Sequence, residues 1–114
     1  MKRTLLTVLF AFLSGTAAVA HSLLETTLPA HEAALTDAPT EIVMNFTSGI
    51  RLTRVSMTHA DETRVDLNLS EFRDFISDYV IPLEPMGIGA YLVEWRGLGD
   101  DGHALNGSFA FTVE

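Results

Sequence analysis

Along much of this chain, apolar side chains recur at every second position in short runs. That is the mark of strands with one face against a core and the other in solvent. Ile42, Met44 and Phe46 form one run, Tyr91, Val93 and Trp95 a second, and Phe109, Phe111 and Val113 a third. Ser22 to Thr27, Leu52 to Thr58, Thr63 to Leu67 and Tyr79 to Leu83 bring the set to about seven strands, with breaks at Pro29, Pro39, Gly49, Pro85, Gly87, Gly89 and Gly102. So many short strands close best as two antiparallel sheets face to face. The pattern therefore predicts an all-β sandwich with Trp95 at its centre. One segment departs from period two. Ser70 to Ser77 reads as a turn or two of helix capped by Ser70, with Phe72, Phe75 and Ile76 on one side. The chain has no internal repeat or linker, so function is expected on loops and strand ends.

The first residues follow a different rule. Lys2 and Arg3 precede an apolar stretch from Leu5 to Leu13, and small residues end in Ala18-Val19-Ala20. These are the three parts of a secretory signal. The stretch is shorter than the roughly 20 residues that span a bilayer. Residues 1–20 are thus read as a cleaved signal, with no stable membrane insertion afterwards, and residues 21–114 as one exported domain. Losing Lys2 and Arg3 moves the formal charge from −8 to −10, which argues against a nucleic-acid partner. With no cysteine, the chain has neither disulfides nor thiolate metal ligands, and its stability must come from the core.

Cleavage would make His21 the first residue. An N-terminal histidine chelates a metal through its α-amino nitrogen and its imidazole, and the amine, with a pKa of roughly 8, gives up its proton at little cost near neutral pH. A second candidate is Asp101-Gly102-His103, between the Trp95 and Phe109 strands. Residues two apart on extended backbone point the same way, and Gly102 allows an unusual backbone angle. Asp-Gly pairs are ordinary turn formers, so this tripeptide alone is a weak signal. With His21 it makes three nitrogens and a carboxylate, a set suited to tetragonal Cu(II), while zinc and nickel stay open.

His21, Thr27-Leu28-Pro29-Ala30, the Ile42 to Phe46 strand, Tyr91-Leu92-Val93-Glu94-Trp95, Asp101-Gly102-His103 and Gly107 to Val113 together resemble the CopC copper-resistance family. The likeness covers essentially the whole of residues 21–114 in the same order. It implies a periplasmic copper carrier of Ig-like or cupredoxin-like Greek-key sandwich fold, holding one Cu(II) per mature chain. By resemblance His21 binds through amine and imidazole, His103 completes the nitrogens and Asp101 supplies an oxygen. A copper transporter or oxidase is the partner class implied.

Two features differ from some relatives. Thr47-Ser48-Gly49 stands where some carry a glutamate, and the stretch comparable to their methionine-rich loop offers only Met57 and His59, so no dedicated Cu(I) site is expected. Met44 and Met86 are read as packing residues, and His31 and His59 as solvated loop histidines. The pairs Asp61-Glu62 and Asp100-Asp101 show no spacing that faces carboxylates across a cleft, as a hydrolase requires. A non-enzymatic carrier is the leading reading. The alternatives are a histidine-brace copper monooxygenase and a metal-free Ig-like interaction module.

Overall fold

The computed structural model describes residues 23–114. The signal read over residues 1–20, and His21 with it, lie outside the described residues. The described chain is all-β, as expected. Its strands are β1 (Leu24–Leu28), β2 (Ala33–Leu35), β3 (Glu41–His59), β4 (Val65–Asp66), β5 (Ile76–Pro82), β6 (Gly89–Gly99) and β7 (Ala104–Val113). They form a curled sheet in the order β1-β3-β6-β7-β2, with β4 and β5 also on β3. Every pairing is antiparallel except β2 with β7.

The runs at Ile42 to Phe46 and Leu52 to Thr58, read as separate strands, are one strand of 19 residues. Its first half pairs with β1 and β5, and its second half with β4 and β6. These two groups of strands are the two layers of the curled sheet, and β3 belongs to both. Between them, Asn45 pairs with Asp78 but the next β5 rung joins Ile50 to Ile76, so the intervening residues leave the ladder. Their backbone groups need other partners. Thr47 N–H donates to the Leu23 carbonyl at 2.8 Å. The buried Tyr79 hydroxyl donates to the Ile50 carbonyl at 2.5 Å and accepts from Leu52 N–H at 3.1 Å.

The alternating apolar positions fill the space that this bend encloses. Ile42, Met44, Ile50, Val55, Tyr79, Ile81 and Val93 have no exposed surface, and Trp95 retains 4%. Phe46 meets Trp95 edge-on at 5.2 Å between ring centroids, joining the two halves of the core. Gly107 is paired with Trp95, and a Cβ there would lie 2.9 Å from the indole. The absent side chain is what lets the tryptophan lie flat against β7.

Ser70 to Ser77 is not helical. Asn68 Oδ1 accepts the Ser70 N–H at 2.8 Å, Phe72 N–H closes a tight turn onto the Leu69 carbonyl at 2.9 Å, and β5 begins at Ile76. A side-chain acceptor offers the backbone a local alternative to the helix. Phe72 and Ile76 still pack on the core, whereas Phe75 is 47% exposed. A seventh strand appears instead at Ala33–Leu35, on the edge of β7.

Burial raises the Tyr79 hydroxyl above its ordinary value of 10.0, outweighing the bond from Leu52 and the nearby Arg51 charge. The neutral phenol is the folded form, so this contribution is complete below pH 10 and lost as pH rises through the raised value. Tyr79→Phe orphans Ile50 C=O and Leu52 N–H at the bend. It is expected to lower the unfolding free energy by about 1–3 kcal/mol in urea titrations at neutral pH. The variant should also lack the part of the alkaline destabilisation that belongs to this phenol.

Candidate metal centre

The hairpin between β6 and β7 carries Asp101 and His103. Gly102 N–H donates to the Gly99 carbonyl and Gly99 N–H to the His103 carbonyl, each at 2.9 Å. Gly102 has φ of +86°, a left-handed conformation that a side chain would resist. This is a three-residue hairpin loop closed by a glycine bulge, a turn that Asp-Asp-Gly suits well.

Asp101 grips His103 with both carboxylate oxygens. Oδ1 accepts the His103 backbone N–H at 3.0 Å, and Oδ2 lies 2.9 Å from imidazole Nδ1. The side chains are 62% and 81% exposed, so the pair stands on the surface. The two side chains meet each other through a turn, not on the extended backbone that the spacing suggested. With the proton assigned to Nδ1 to face the carboxylate, Nε2 is a bare acceptor with no partner among the described residues. Histidines that ligate metals commonly donate their other ring N–H to a carboxylate in the same arrangement.

The bond from His103 N–H, then the bond from its ring, hold the Asp101 carboxyl below its ordinary value of 3.8. The carboxylate therefore persists throughout the pH range in which imidazole is neutral and able to bind a metal.

The start of β1 lies at this same end of the fold. Leu24 pairs with Phe46 and Leu23 is bonded to Thr47, three residues before Ile50, which itself pairs with Gly99. Along β1 the chain runs beside Ser108 and Phe109, with which it lines a common groove, and it reaches Ala110 at His31. Followed backwards, β1 thus heads toward the β7 end that begins at Ala104. Thr47 to Gly49 brings no carboxylate to this end. Among the described residues, no three histidine or acidic side chains cluster closely enough to hold a metal.

Of the other two histidines, read as solvated loop residues, His31 is exposed whereas His59 is half-buried at the end of β3, and each has a structural task that the sequence did not disclose. His31 Nδ1 accepts the Ala110 N–H at 3.1 Å, while Glu32 N–H donates to the Ala110 carbonyl at 2.6 Å. Together they continue the β7 edge before β2 takes over. His59, the last residue of β3, places its ring 4.6 Å from that of Tyr91 and Nε2 2.7 Å from the Ile88 carbonyl. No spacing rule links His31 to Ala110 or His59 to Ile88, because both contacts depend on strand pairing. Met44 is fully buried, Met57 nearly so, and Met86 packs against the core.

A family model described as the CopC domain matches residues 24–114. Copper resistance protein C of Escherichia coli is 32% identical over 107 residues, spanning 85% of this chain and 84% of the relative. Copper resistance protein C of Xanthomonas campestris pv. juglandis is 30% identical over 113 residues, spanning 91% and 88%. Among solved structures, CopC from Methylosinus trichosporium OB3b superposes with a TM-score of 0.62 at 22% identity, covering 82% of this chain and 94% of that one. PcoC of E. coli, described as a methionine-rich copper resistance protein, gives 0.54 at 28% identity, covering 83% and 100%.

His103→Ala removes the ring bond while keeping the backbone bond to Oδ1. The Asp101 carboxyl is then expected to titrate closer to 3.8, as followed by its carboxyl carbon resonance. Because the folded value is depressed, the loop order contributed by this pair should be intact above the ordinary value and disappear as pH falls through the folded one.

Proposed function

The chain belongs to the CopC family of copper resistance proteins, and on that premise we propose that it binds one Cu(II) per mature chain in the periplasm and carries or sequesters it without turnover. Export and cleavage after Ala20 supply the free amine on which this reading depends. His21 contributes its α-amino and imidazole nitrogens, and His103 contributes Nε2. Asp101 gives the site its carboxylate and fixes the His103 ring.

The observation that supports this reading best is the grip of Asp101 on His103. It orients an exposed imidazole with its outer nitrogen bare, at the end of the fold where β1 begins. Nitrogen donors with a carboxylate favour Cu(II), the divalent ion at the top of the affinity order for such sites. A ligand set at a chain terminus and on an exposed hairpin also suits a carrier, since a recipient can approach it directly. The recipient class in this reading is a copper transporter or oxidase.

Copper titration of protein beginning at His21 is expected to show one equivalent of Cu(II) with a nitrogen-rich d–d spectrum. One extra residue before His21 converts the amine to an amide while leaving every side chain in place, and should weaken binding by more than about tenfold. Asp101→Asn, which disturbs the orienting group, should cost about 10–100-fold. Unchanged affinity in the extended protein would overturn the N-terminal chelate.

A further inference from the structure

The outer face of the β3–β6–β7 ladder carries a cluster that copper binding leaves unused. Up to Leu52, the even-numbered residues of this part of β3 face inward; beyond it, Val55 and Met57 do. The change is made by a one-residue slip, with Leu52 paired to Gly97 but Arg54 paired to Arg96. Thr53 is the extra residue. Gly97 lets β3 lie close to β6 just before the slip, since a Cβ there would lie 2.9 Å from Ile50 Cγ2 and 3.0 Å from the Arg51 carbonyl oxygen. Without the slip, Arg54 would continue the inward face. With it, Arg54 stands outside, directly across from Arg96, whose other neighbour is Asn106. A bulge that re-aims one side chain is a recurrent device beside binding sites.

Arg54, Arg64, Arg96, Ser56, Glu94 and Asn106 surround a cleft of about 280 Å³. Ser56 is only 3% exposed although it faces outward, so the cleft has depth. After residue 20 the chain has just five basic side chains, Arg51, Arg54, Arg64, Arg73 and Arg96, and three of them meet here. Their compensation is incomplete. Arg54 pairs with Asp66 at 3.1 Å and Arg64 with Glu94 at 3.5 Å, while no acid pairs with Arg96 among the described residues. Like charges directly opposite on neighbouring strands cost stability. The existing ion pairs are about half exposed, and such pairs are worth at most about 1 kcal/mol, so an entering anion can exchange with them.

We propose that this cleft binds a small di- or tricarboxylate, with Arg54 and Arg96 sharing one carboxylate and Arg64 and Asn106 taking another. Guanidinium forks match the planar carboxylate edge with two parallel hydrogen bonds, and more than one carboxylate uses the separated arginines together. The rest of the acidic surface repels such a ligand, which confines it to this face.

The test uses metal-free mature protein at fixed ionic strength, with succinate and tricarballylate as probes and acetate, chloride and inorganic phosphate as controls. Trp95, the chain's single tryptophan, lies at the cleft and reports binding by fluorescence, and the arginine Nε–H resonances report it by NMR. The expected result is a saturable response to the polycarboxylates, at least tenfold weaker in Arg96→Gln and in Arg64→Gln. Both variants should stay folded with the wild-type Cu(II) affinity, Arg96→Gln melting no lower than the wild type because it relieves the Arg54–Arg96 opposition, so the outcome is separate from that of the copper site. A response equal to that of chloride, phosphate binding as tightly as tricarballylate, or unchanged affinity in both variants would each overturn the proposal.

Discussion

The hydroxyl of Tyr79 holds the place where β3 passes from one layer to the other. A strand of 19 residues that served a single flat sheet would leave half of this core uncovered. Bending it puts Ile42, Met44 and Phe46 into one core with Ile50, Leu52 and Val55, but the bend removes several residues from the β5 ladder. Buried backbone groups without partners are costly. One phenol, reaching across from β5, satisfies both Ile50 C=O and Leu52 N–H. The Phe46–Trp95 contact, the course of β6 along the second half of β3, and the position of the β6–β7 hairpin all follow from that bend.

The candidate copper end is a consequence of the same geometry. Gly99 pairs with Ile50, just beyond the bend, and Leu23 is bonded to Thr47 within it. The bend therefore brings the beginning of β1 and the β6–β7 hairpin to one end of the molecule, although they are nearly eighty residues apart in sequence. Local chemistry completes the arrangement. The glycine bulge at Gly102 turns the chain, and the Asp101 carboxylate fixes His103 from both its backbone and its ring. The bulge at Thr53 works in a comparable way on the outer face, where one extra residue puts Arg54 beside Arg96.

The inward positions were legible because period-two alternation depends only on neighbours along the chain. Ile42, Met44, Phe46, Tyr91, Val93, Trp95, Phe109, Phe111 and Val113 are all buried. Alternation could not show that two runs belong to one strand, since Gly49 carries the same local signal whether the chain stops or bends. Phe72 and Ile76 are four apart, a helical spacing, and both do reach the core, but through a turn stabilised by Asn68. The tasks of His31 and His59 were hidden for a different reason. Their partners, Ala110 and Ile88, are chosen by strand pairing, and the histidines themselves sit where any solvated side chain would be unremarkable.

The sequence by itself determined the all-β class, the inward face of most strands, the family, and the Asp101-Gly102-His103 element, because each is written in residues close together along the chain. Tertiary structure decided which strands share β3, where the register slips, and which distant residues meet. A slip of one residue reverses every side chain that follows it, and neither the slip at Thr53 nor the bend held by Tyr79 changes the alternation of the runs on either side. The placing of the N-terminal end of β1 at the same end of the fold as the His103 hairpin, and the pairing of Arg54 with Arg96, exist only once the backbone hydrogen bonds have fixed that register.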